Sequence, residues 1–135
     1  QKLTFGGTFG LTAVDAINST DTPVLILHGD EDTTVGYDTV SIISKKNEIT
    51  NPNVRYLVCD VGRRNGHNSL FYSLEALDYA DEINEIGSRI NEQYGYDVPE
   101  EVLREYYASV DKFRVRELDQ GFMESILTFY RDAVK

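Results

Sequence analysis

A chain of 135 residues with 41% hydrophobic and 27% charged residues has enough apolar side chains for a core but is one globular domain or less. Its 23 acidic residues against 13 basic ones give a formal charge of −10, which repels phosphate backbones and anionic lipid and argues against nucleic-acid or membrane partners. Cys59 is the single cysteine, so an intrachain disulfide and a thiolate metal cluster are excluded, and a reducing compartment, the cytoplasm before others, is favoured.

The first stretch, Phe5-Gly6-Gly7-Thr8-Phe9-Gly10, reads as a glycine-rich aromatic loop, followed by a short helical turn over Thr12–Ile17. Pro23 opens the apolar run Val24-Leu25-Ile26-Leu27, which His28-Gly29 stops. Continuous apolar character between breakers predicts a parallel strand covered on both faces. The run is far too short to cross a bilayer, which takes about 20 residues. Val40, Ile42 and Ile43 predict a short amphipathic helix within Tyr37–Glu48, ended by Asn51-Pro52-Asn53. A second strand follows over Val54–Cys59, and the loop Asp60–Asn68 comes next. Strand, helix and strand within about 40 residues make a βαβ unit with parallel strands.

The rest reads as helical. Leu74, Leu77, Ala80, Ile83, Ile86 and Ile90 recur every three or four residues and predict the core face of a long helix, with Ser69 starting the helix after the loop. Asp97 reads as the N-cap of a second helix, with Pro99 in its first turn, running to about Val110. Asp119 caps a third, whose apolar side is Phe122, Met123, Ile126, Leu127, Tyr130 and Val134. The reading is therefore α/β: few parallel strands flanked by helices, with residues 1–75 as the strand-helix-strand part and 76–135 as the helical part. Two strands leave two open sheet edges. The chain is expected to be one part of a longer protein, or to cover its edge with another copy as a homo-oligomer.

Chemistry concentrates in two segments. Pro23-Val24-Leu25-Ile26-Leu27-His28-Gly29-Asp30-Glu31-Asp32 ends a buried strand in carboxylates, at the side of a parallel sheet where ligands bind. The next strand leads to Asn65-Gly66-His67-Asn68, so neighbouring strands would bring Asp32 and His67 together. A histidine acting as general base needs its other ring nitrogen held by a carboxylate, which fixes the tautomer and stabilises the imidazolium.

The strand with HGxxD and a spaced GH resembles the last strands of the α/β-hydrolase fold, most closely its serine aminopeptidase and acyl-esterase branch. The resemblance spans residues 1 to about 75 and makes the chain similar to the C-terminal portion of such an enzyme. It implies that Asp32 is the triad acid and His67 the triad base, with His28 and Gly29 structural. Asp30 and Glu31 are carboxylates one or two positions from the acid and stand as its alternatives. The family's chain order is serine, then acid, then histidine, with the serine in a GxSxG turn. None of Ser19, Ser41, Ser44, Ser69, Ser73, Ser88, Ser109 or Ser125 has glycines two residues before and two after.

The resemblance thus implies a serine hydrolase that cleaves an ester or amide by acyl transfer, with no cofactor and with a small-molecule or peptide acyl substrate. Its serine would come from the N-terminal part of the same protein, and this chain alone would be inactive. The reading from another class is a non-catalytic α/β binding or regulatory module, a degenerate hydrolase or a flavodoxin-like domain. Among the remaining candidates, Arg63 and Arg64 read as surface residues able to clamp a carboxylate. Cys59 reads as a small core residue, and the helix near Tyr106-Tyr107 as a possible flank of the substrate mouth. Two histidines 39 positions apart lack the spacing of a helical metal motif.

Overall fold

The computed structural model describes residues 10–134, so the expected loop at Phe5–Phe9 lies outside the described residues. The elements in chain order are α1 (Ala13–Asn18), β1 (Val24–Gly29), a 3-10 helix (Ile42–Glu48) and β2 (Val54–Cys59). They continue with α2 (Leu74–Tyr94), α3 (Glu100–Ser109), a 3-10 turn (Arg114–Arg116) and α4 (Gln120–Ala133). The fold is mixed α/β with one two-stranded parallel sheet among the described residues. It divides into two compact units: the chain up to Leu70 together with Ile126 onward, and Phe71–Ser125.

In the first unit, β1 and β2 pair in parallel from Val24 opposite Val54 to Gly29 opposite Cys59, as the βαβ pattern requires. Ile26 is the one buried side chain of the apolar run, at 7% exposure, while Val24, Leu25 and Leu27 are half-buried. The expected cover on both faces is therefore only partial. Thr12 opens α1 with a capping box, its hydroxyl accepting from Asp15 N–H while the Asp15 carboxylate accepts from Thr12 N–H.

The predicted helix within Tyr37–Glu48 is shorter and tighter than its pattern indicates. Ser41 is its N-cap, and Ser44 Oγ donates back to the Thr39 and Ser41 carbonyls. Such local bonds compete with the α-helical ladder, and the β-branched pair Ile42-Ile43 adds crowding. Ile43 is buried, whereas Val40, expected on the core side, is exposed. Phe129, on the last turns of α4, is buried beneath the Arg55 guanidinium, which also pairs with Asp132 at 3.2 Å.

In the second unit, Ser73 rather than Ser69 starts α2, its hydroxyl accepting from Ala76 N–H. The buried side of α2 is Ala76, Tyr79 and Ile83, at i, i+3 and i+7. Of the predicted stripe only Ile83 is buried, and Leu74 is exposed. Tyr79 supplies the reason: its hydroxyl donates to the Ser109 carbonyl and accepts from Asp111 N–H, and Arg114 lies 4.2 Å over its ring. A tyrosine that satisfies both its polar tip and its ring turns the helix toward itself. Gly87 matters for the same packing, because a Cβ there would sit 3.0 Å from the Tyr106 hydroxyl. Helix α3 begins two residues later than the Asp97 cap predicts, with Pro99 as N-cap. Asp119 does cap α4, accepting from Phe122 N–H at 2.7 Å.

Candidate functional site

Both candidate residues belong to the first unit, at the carboxyl ends of β1 and β2. Asp30 N–H donates to the Cys59 carbonyl and extends the ladder one step past Gly29. Asp32 N–H then turns back onto the Gly29 carbonyl. The Asp32 side chain, 6% exposed, folds over this turn, and its Oδ1 accepts from Thr34 N–H and Val35 N–H, each at 2.8 Å. One carboxylate oxygen is thereby held by backbone. The other, Oδ2, accepts from Nδ1 of His67 at 2.8 Å. Asp32, and neither Asp30 nor Glu31, is the carboxylate that meets the imidazole.

Electrostatics follow from this bonding. Burial works to raise the Asp32 carboxyl, but the Val35 N–H, the His67 ring, the Thr34 N–H and the attraction of a charged imidazole together outweigh it. The group stays below its ordinary value of 3.8. His28 braces the same turn from the strand, donating from Nε2 to the Val35 carbonyl at 2.9 Å and lying 3.5 Å from Asp32 Oδ2. Its ring also packs against Tyr37. The expected structural role of His28 matches this geometry.

His67 arrives through a loop fastened at several points. Arg63 takes left-handed backbone at φ 68°, an uncommon conformation for a residue with a side chain. Arg64, read from the sequence as a surface residue, is instead buried and donates to the Leu70 carbonyl at 3.2 Å, closing the loop on itself. Asn65, also buried, donates from Nδ2 to Asp30 Oδ1 at 2.7 Å, and its carbonyl accepts from Glu31 N–H at 3.1 Å. Gly29 makes this approach possible, because a Cβ there would stand 2.1 Å from the Asn65 carbonyl oxygen.

With Nδ1 donating to Asp32, Nε2 is the nitrogen left for chemistry. Among the described residues it has no hydrogen-bond partner, and the His67 side chain is 42% exposed. The pair borders a hollow of about 250 Å³ lined by Leu27, His28, Gly29, Asp32, Val35, His67 and Leu70. A buried, charged acceptor fixing one face of an exposed imidazole leaves the opposite ring nitrogen as a positioned base. Ser69 makes no hydrogen bond to His67 among the described residues. Cys59 is buried at 3% exposure on β2, as a core residue should be.

Among the described residues, no three His, Cys, Asp or Glu side chains gather to hold a metal ion, and no helix is long and apolar enough to cross a membrane. No family model, no curated protein and no solved structure matches the chain.

Proposed function

We propose that Asp32 and His67 are the acid and base of a Ser-His-Asp triad in a serine hydrolase of the α/β-hydrolase kind, which cleaves esters or amides by acyl transfer. The supporting observation is the 2.8 Å bond from His67 Nδ1 to a buried carboxylate whose other oxygen is already held by two backbone donors. In this reading a serine from outside these residues attacks the substrate carbonyl. His67 Nε2 takes the serine proton and passes it to the leaving group, while Asp32 holds the ring and stabilises its charge. The chain shows no GxSxG turn, so the reading assigns it no acyl-transfer activity alone.

A fluorophosphonate probe tests both halves. It is expected to label a longer parent protein on a serine upstream of Asp32 and to leave the 135-residue chain unlabelled. In that parent, His67→Ala should lower kcat by at least about 10³-fold, since losing a triad member removes most of the acceleration. Serine labelling of the 135-residue chain, or a parent with full activity after His67→Ala, overturns the proposal. A parent with no reactive serine would instead favour a non-catalytic binding module.

A further inference from the structure

The bond between Asp32 and His67 joins two loops that diverge from neighbouring strands, and such loops are ordinarily the most variable parts of a sheet protein. Something must hold them in register. The ladder does not, because its last bond joins Asp30 N–H to the Cys59 carbonyl, two and eight residues short of the two side chains. One side-chain pair does span the gap. Asn65 Nδ2 donates to Asp30 Oδ1 at 2.7 Å, and a few atoms away the Asn65 carbonyl accepts from Glu31 N–H.

Resting on the triad reading above, we infer that Asn65 and Asp30 form a clamp that sets the His67 imidazole on the Asp32 carboxylate, so that Asn65 is a positioning residue for the base. Asn65 lies two residues before His67, and Asp30 lies two residues before Asp32. The clamp therefore fixes both loops at equal distance from the groups that must meet. Asn65 is 6% exposed, so its amide has little access to water as a substitute partner. The carboxylate is the suitable acceptor, because an ionised oxygen makes a shorter and stronger bond than a neutral one. Gly29 removes the side chain that would hold the Asn65 backbone away. Neither Asn65 nor Asp30 is hydrogen-bonded to His67, and each acts through the backbone it anchors.

The test uses the 135-residue chain and the Nδ1 proton of His67 observed by NMR, which a chain with only two histidines makes simple to assign. Wild type is expected to show a downfield Nδ1 proton on His67, the mark of a hydrogen bond to a carboxylate. Asp30→Ala should lose it while backbone spectra stay folded. Asn65→Asp should lose it too, since two carboxylates would face each other across the 2.7 Å contact. The double variant Asp30→Asn with Asn65→Asp restores one amide and one carboxylate in reversed order and should recover the signal. That rescue separates positioning from general loosening of the loop. If both single variants keep the proton, or the reversed pair fails to recover it, the clamp is wrong while the triad reading survives. If wild type lacks the proton, the triad reading falls and the clamp with it.

Discussion

Both ends of the two-stranded sheet are laced by asparagines, yet they are laced differently. At the amino end, Asn51 Nδ2 donates to the Ile17 and Thr22 carbonyls, Asn53 Nδ2 to the Asp21 carbonyl and Asn18 Nδ2 to the Glu48 carbonyl. Each of these side chains satisfies backbone, the usual business of a structural amide. At the carboxyl end, Asn65 meets Asp30 and His67 meets Asp32, side chain to side chain, and the outermost group is a half-exposed imidazole. On the proposed reading, the contrast is that between a knot and a site on the same pair of strands.

The largest break in that contrast should come from Gly29→Ala. A methyl group would overlap the Asn65 carbonyl oxygen at 2.1 Å, so the loop carrying His67 must move. Overpacking of this kind costs about 3 kcal/mol. Urea denaturation should show a lower midpoint with an unchanged slope, and the His67 bond to Asp32 should be lost in the folded remainder. An unchanged midpoint would mean that the loop is free to shift, which the clamp geometry forbids.

Asn51→Ala probes the opposite end. Asn51 is 8% exposed and serves three backbone groups, the two carbonyls above and Asn53 N–H, which its Oδ1 accepts at 2.8 Å. Leaving buried backbone groups unpaired costs about 2 kcal/mol. The variant should melt earlier while the His67 Nδ1 proton stays where wild type has it. Loss of that proton would show that the two ends are not independent.

What the sequence displayed was the part carried by periodicity and punctuation. Val24–Leu27 between Pro23 and Gly29, and Val54–Cys59 after Asn-Pro-Asn, read as neighbouring parallel strands, and the parallel arrangement alone predicts that Asp32 and His67 approach. Asp119 was legible as a cap because capping chemistry is local. The rest depended on contacts between distant residues. Asn65 and Asp30 are 35 positions apart on loops, where polar side chains follow no period. Arg64 counts as surface by composition, yet an arginine whose donors find carbonyls can be buried. On α2, an apolar stripe indicates a helix face, but Tyr79, polar at its tip, decided which side is buried. Phe129 fell outside the predicted stripe on α4 and is buried there under Arg55.

The smallest effect, and the most specific, is expected in acid. The Asp32 carboxyl sits below 3.8 in the folded chain and near that value once unfolded. The unfolded state therefore takes up this proton first as pH falls. Its stabilising contribution is complete above about pH 5 and is lost as pH drops through the unfolded value and then the lower folded one. Asp15 is lowered as well, through its bonds to Thr12, so wild type alone does not isolate the site. The difference between wild type and Asp32→Asn does. Wild type should lose midpoint more steeply than the variant between about pH 5 and pH 2. The same comparison with Asn51→Ala should show a constant offset at every pH, because an amide does not titrate. Parallel curves for Asp32→Asn throughout the acid range would mean that the carboxylate is not held in its charged form by the turn and the imidazole, which removes the electrostatic basis for treating the two ends of the sheet as different in kind.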